Sequence, residues 1–166
     1  QSQQRETDIL IALSRPKKGR LKSWKLCDYY VKLYGSNEYL KKNPKITDIK
    51  DLTNHKFVNY ADELIEFPEL HYLQEINSNP NIVFSSNSLR SQLLAVKNGI
   101  GIGLLHSFVA YKEKDLKVIL PEKINIKREY WIVVHENNFH LRRIKAVTDF
   151  VTTILNDEKK FLSSVE

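Results

Sequence analysis

Val96-Lys97-Asn98-Gly99-Ile100-Gly101-Ile102-Gly103-Leu104-Leu105 gathers three of the chain's five glycines into one short stretch. Upstream of it, Leu89, Leu93, Val96 and Ile100 recur at helical spacing, so a helix leads into the glycines. Downstream, Ile102 to Leu105 is a short apolar run that reads as a strand. A dinucleotide fingerprint needs the opposite order, with a strand entering the glycines and a helix leaving them. The nucleotide reading therefore falls. Gly99 is placed as the helix C-cap, and the glycines let the helix stop and the chain turn tightly into a neighbouring strand.

Working outward, Asn81 to Ser85 reads as a strand, and Ser86-Asn87-Ser88 supplies N-cap residues for the helix just described. Pro68 to Ile76 fits a helix with proline in its first turn, and Lys56 to Tyr60 a strand. Thr47 precedes Asp48-Ile49-Lys50-Asp51-Leu52, a helix of one or two turns with acids at its positive end. Ser36 is an N-cap for a short helix carrying Tyr39 and Leu40, which Pro44 stops. Asp28 to Tyr34 is a strand, and Thr7 to Leu13 a buried strand ended by Ser14-Arg15-Pro16. On the other side come a strand over Lys117 to Leu120, closed by Pro121, and an apolar strand over Arg128 to His135. Last is a long helix with Leu141, Ile144, Thr148, Val151 and Leu155 on one stripe. Strands alternating with helices imply an α/β fold, a sheet covered by helices.

The 166 residues suit one domain or two small lobes, and 42% hydrophobic with 28% charged residues is a globular balance. No apolar run approaches the roughly 20 residues of a membrane helix, so no membrane partner is expected. Gln1 to Asp8 holds no secretory core, and the lone Cys27 reads as a structural thiol in a reducing compartment, the cytoplasm. The net charge of +6 favours acidic partners. Arg15, Lys17, Lys18, Arg20, Lys22 and Lys25 crowd one stretch flanking Pro16 and Gly19. Without an adjoining recognition helix, a solvated crossover is preferred there to a phosphate-binding arm.

Catalytic constellations are missing from the pattern. His55, His71, His106, His135 and His140 make no i, i+4 metal pair, and there is no nucleophile elbow and no phosphate loop. The expectation is of no enzyme, no metal and no cofactor. The place best suited to a small anion is Ser85-Ser86-Asn87-Ser88, where a strand ends and a helix opens, because helix N-termini offer unpaired N–H donors. The same residues can equally serve only as caps.

Taken in order, several pieces resemble the effector-binding domain of LysR-type transcriptional regulators. Asp8-Ile9-Leu10-Ile11-Ala12-Leu13 is similar to the strand before the family's first interlobe crossing. Tyr30-Val31-Lys32-Leu33-Tyr34-Gly35-Ser36 with Tyr39-Leu40, then Asp51-Leu52, His55 and Phe57-Val58-Asn59-Tyr60, follow at the family's spacings. Phe84 to Ser88, Val96 to Ile102, Leu116 to Pro121 and Tyr130 to His135 complete a series spanning Asp8 to Val151. His106 stands where a proline is common, Ser14 where an arginine is, and Gly35 where alanine is usual.

The resemblance implies a fold of the periplasmic-binding-protein type II kind, with two lobes joined by two crossover segments and a small effector between them. Residues 1–16 plus 125–166 would be an incomplete first lobe, and residues 17–124 the second. The winged helix-turn-helix through which the family binds DNA, its linker helix and the opening units of the first lobe are absent ahead of Asp8. A carboxylate effector and a homo-oligomer, dimer or tetramer, are implied for the full-length regulator. The implied effector contacts are Ser14, Arg15, Tyr60, Ser85, Ser86, Asn87 and His106. For Arg15 the rival reading is plain exposure, for Tyr60 packing, and for His106 a core or surface histidine, which is preferred. The rival functions are a transporter's solute-binding protein, which shares the fold, and a nucleic-acid module using Arg15 to Lys25.

Overall fold

The computed structural model describes residues 9–17, 19–61 and 72–163. The chain divides into two compact units, Gln1–Asp28 with Glu129–Glu166, and Tyr29–Arg128. Two long strands, β2 (Leu21–Ser36) and β7 (Ile126–His135), carry the backbone from one unit to the other. Among the described residues no helix is long and apolar enough to cross a membrane.

In the first unit β1 (Ile9–Ala12) pairs antiparallel with β7, Ile9 opposite Val134 and Ala12 opposite Trp131. The long helix α4 (Arg142–Ser163) packs its Ile144 on Ile132 and Val134, with Ile9, Trp24, Leu26 and Leu141 around them. Ile144 and Thr148 are its buried positions and Val147 and Phe150 are exposed, so the expected stripe is the packed one. The burial expected for β1 is corrected. Leu10 and Ile11 are 54% and 47% exposed, because this strand pairs with β7 and presents both central residues to solvent.

In the second unit five strands form a mixed sheet in the order β6-β2-β5-β3-β4. They are β6 (Leu116–Ile119), the Tyr29–Ser36 part of β2, β5 (Ile102–His106), β3 (Lys56–Tyr60) and β4 (Asn81–Ser86). β2 is antiparallel to both β5 and β6, while β5, β3 and β4 run parallel. All five residues of β5 are buried, as a central strand covered on both faces must be. On one face, Tyr34, Val58 and Leu105 form a core with Ala95 and Val96 of α2 (Leu89–Lys97) and Ala110 of α3 (Ser107–Ala110).

Local signals hold well here. α1 (Asn37–Lys42) starts at Ser36, whose hydroxyl accepts from the Tyr39 N–H at 3.1 Å. Ile49–Asn54 forms a 3₁₀-helix with a full capping box between Asp48 and Asp51. Pro68 to His71 of the helix expected over Pro68 to Ile76 lie outside the described residues, and Leu73–Glu75 is one 3₁₀ turn. On α2 the expected stripe faces the core at Val96, which is fully buried, and at Leu93, which packs beside it, while Gln92 and Ala95 widen the buried face and Ile100 is exposed. Gln92 turns inward because its Nε2 donates to the Ser86 carbonyl at 2.8 Å, and Ile100 lies past the helix end. Of the basic stretch read as a crossover, Lys22 and Lys25 belong to β2, one of the two strands that join the units.

Gly99, Gly101 and Gly103 each answer a different constraint. Gly99 sits at φ +72° just past the helix, with its N–H on the Val96 carbonyl at 3.0 Å. At Gly101 a Cβ would lie 2.5 Å from the Lys56 carbonyl oxygen, and at Gly103 2.9 Å from the Val96 side chain. The close approach of β3 and α2 to β5 thus depends on glycine at the latter two positions.

Candidate functional site

Three parallel strands of the second unit end side by side. β3 and β4 pair, across a register shift between Phe57 and Val58, as far as Tyr60 opposite Ser86, and β5, on the other flank of β3, ends at His106. In open α/β sheets ligands bind outside the carboxyl ends of parallel strands, so this edge is the candidate site. Five of the seven expected residues meet there: Tyr60, Ser85, Ser86, Asn87 and His106. Ser14 and Arg15 belong to the first unit, where both are exposed and the Arg15 guanidinium lies 5.8 Å from the Trp131 ring centre.

The Ser85–Ser88 turn works first as a cap. Ser88 accepts from the Ser91 N–H at 3.3 Å, and the Ser86 hydroxyl accepts from the Ser88 N–H at 3.1 Å. The Ser86 carbonyl takes the Ala61 N–H at 3.2 Å as well as the Gln92 amide, tying the strand end to β3 and to α2. Ser85 and Asn87 are exposed, and the first-turn N–H groups of Leu89 and Arg90 have no partner within a helix of this geometry. Ser88→Ala is expected to cost about 1 kcal/mol through the lost cap, measured by urea unfolding of the two proteins.

Beside this turn stands a cluster that the sequence pattern did not disclose. Tyr29, Tyr60, Tyr72 and Phe108 surround His106, with Tyr29 nearly stacked on the imidazole at 4.8 Å and 31°. The Tyr29 and Tyr72 hydroxyls are 3.0 Å apart, and the Tyr72 hydroxyl is 3.3 Å from His106 Nε2. Arg128 lies over the Tyr72 ring at 5.6 Å and pairs with Glu75. Burial pushes the Tyr60 hydroxyl up to about 12, with the neighbouring Tyr29 adding to it, and pulls His106 down to about 4. At neutral pH both are uncharged hydrogen-bonding groups. Tyr29 and Tyr72 had no local signal, because 43 residues separate them, and Gln92 lay off the apolar stripe.

Elsewhere, Lys25 pairs with Asp28 at 2.8 Å and with Glu129 at 3.2 Å, and Lys22 lies 4.1 Å from the Phe139 ring centre. The first unit also holds a cavity of about 520 Å³ between Trp24, Phe139 and the first turns of α4, and none of the seven expected residues lines it.

Comparison with known proteins adds the following. The family described as LysR substrate binding domain matches residues 1–155. The regulatory domain of CrgA, a LysR-type transcriptional regulator from Neisseria meningitidis, superposes with a TM-score of 0.73 at 21% identity, over 91% of this chain and 76% of that one. Full-length AphB, the virulence activator of Vibrio cholerae, gives 0.70 at 18%, over 89% and 51%. The CcmR regulatory domain of Synechocystis, in complex with 2-PG, gives 0.69 at 14%, over 90% and 74%. No curated protein sequence matches the chain.

Proposed function

Because the chain belongs to the LysR substrate-binding-domain family, we propose that it senses a small anionic effector for a DNA-binding transcriptional regulator. Its α/β fold is that of LysR regulatory domains, which is periplasmic-binding-protein type II-like. The observation that carries the site is the meeting of Tyr60, Ser86 and His106 at the ends of three parallel strands, beside the opening of α2. Hydroxyl, imidazole and helix N–H groups there suit a carboxylate or phosphate oxygen. CcmR, of the same fold, carries 2-PG.

The reading extends to parts of the regulator that rest on family membership. Lobes over residues 1–16 plus 125–166 and residues 17–124 would move as the effector selects one arrangement, and the force available is the effector's differential affinity for the two. The two-unit division of the chain, with β2 and β7 as the two connections, supports a pair of lobes, divided after Asp28 and after Arg128 rather than after residues 16 and 124. DNA binding would belong to a helix-turn-helix, and oligomerisation and a cytoplasmic location to the whole regulator. The module would bind without turnover. The basic stretch gives little support to a DNA-binding rival, since Lys25 is already paired with two acids.

Thermal melts with formate, acetate, benzoate and 2-PG test the reading. A ligand at a hundred times its Kd raises stability by about 2.7 kcal/mol. At least one member of the panel should raise Tm in a saturable way. Melts that stay flat across the panel, with the amide resonances of Tyr60 and Ser86 to Ser88 unmoved, would overturn it.

A further inference from the structure

The cavity of about 520 Å³ in the first unit shares no residue with the strand-end site of the second. Its volume falls within the roughly 300–1,000 Å³ of small-molecule sites. Two of its walls are rings set nearly at right angles: Trp24 on β2 and Phe139, just ahead of α4, stand 6.0 Å apart at 81°. Such a corner lets a third flat ring stack on one wall and meet the other edge-on, the two arrangements that aromatic pairs prefer. Ile144, 2% exposed, lines the cavity from α4. The charged lining residues are Arg142, Lys145 and Asp149. Among the described residues neither Arg142 nor Lys145 has an acidic partner, so two cations face one carboxylate and one positive charge is left over. The cavity is separate from the bare apolar faces of this unit. In the order β1-β7-β2, Trp24 stands across β7 from the exposed Leu10 and Ile11, and the exposed Val147, Phe150 and Ile154 of α4 do not line it.

We infer that this cavity is a second ligand site, which takes a small aromatic monocarboxylate. The ring enters the corner between Trp24 and Phe139, and the carboxylate meets Arg142 and Lys145. Each part is needed. A carboxylate without a ring has only an exposed ion pair to hold it, which contributes little. A neutral ring of the same shape leaves both cations unmatched, and a second carboxylate meets Asp149 as a like charge.

Titration of the chain with phenylacetate, followed by proton–nitrogen NMR, tests the site. The indole N–H of Trp24 and the amides of Arg142 and Lys145 should shift together and saturate, with a Kd on the order of 1 mM for a ligand of this size. Phenylacetamide, of the same shape without the charge, should bind about tenfold more weakly, and acetate should not saturate these resonances. Arg142→Gln with Lys145→Gln, both at exposed positions, should weaken phenylacetate by about tenfold, to the level of the amide. If the double variant fails to fold, the phenylacetate-to-phenylacetamide ratio in the unaltered chain decides alone. Equal affinity for the acid and the amide overturns the proposal, as does phenylacetate that leaves Trp24 unmoved. Shifts confined to Tyr60 and Ser86 to Ser88 remove this second site and leave the strand-end site standing. Shifts confined to Trp24, Arg142 and Lys145 uphold it without bearing on the other.

Discussion

Gly101→Ala is expected to lower the stability of the fold by about 3 kcal/mol. The added Cβ would lie 2.5 Å from the Lys56 carbonyl oxygen and 2.9 Å from its carbon, both backbone atoms. That backbone has little room to retreat. The Lys56 N–H donates to the Tyr39 hydroxyl at 3.1 Å, and Phe57 next to it is fully buried and in register with Ile102. Relief would have to come from parting β3 and β5, the two central parallel strands of the second unit. Gly99→Ala is the control. There the new Cβ meets only ordinary contacts, the nearest being Ser36 Oγ at 3.5 Å, and the cost is the left-handed backbone, about 1 kcal/mol. Urea unfolding at unchanged slope measures both. A Gly101→Ala loss no larger than that of Gly99→Ala would contradict the close approach of the two strands.

Acidification from pH 8 to pH 5 is expected to remove about 2 kcal/mol of stability through His106 alone. Burial lowers its pKa from 6.5 to about 4 in the folded chain. Between those two values the unfolded state takes up a proton that the folded state refuses, so stability falls as pH drops through the window and levels off below about 4. His55, also pulled down by burial, shifts the same way. His106→Gln removes one of the two titrations and leaves the other, so the difference between the two proteins isolates His106. The unaltered chain should lose about 2 kcal/mol more than the variant over this range. Equal pH dependence in both would mean that the imidazole is open to protons in the folded state.

Several elements were legible because their causes are local. Ser36, Asp48 with Asp51, and Ser88 cap the turns that follow them, and Gly99 ends α2, all through contacts within four residues. The bounds of β3 and the stripe of α4 follow from runs of apolar residues in the same way. β2 was read short because Lys22 and Lys25 resemble a solvated segment until Glu129, 104 residues away from Lys25, is brought beside them. The turn at Ser85–Ser88 was visible as a cap and as a candidate site, since the same residue types serve both.

The amino-acid order by itself determined the alternation of strands and helices, the places where they start and stop, and through the series of pieces from Asp8 to Val151 the family. Tertiary structure alone decided that Gln92 joins the buried face of α2, that Leu10 and Ile11 of β1 are exposed, and that His106 is enclosed by Tyr29, Tyr60 and Tyr72. The physical reason is range. Caps and periodicity are interactions between residues three or four apart, so they are written consecutively. An imidazole enclosed by tyrosines arises from partners 34 and more residues away, and only the pairing of strands brings those together.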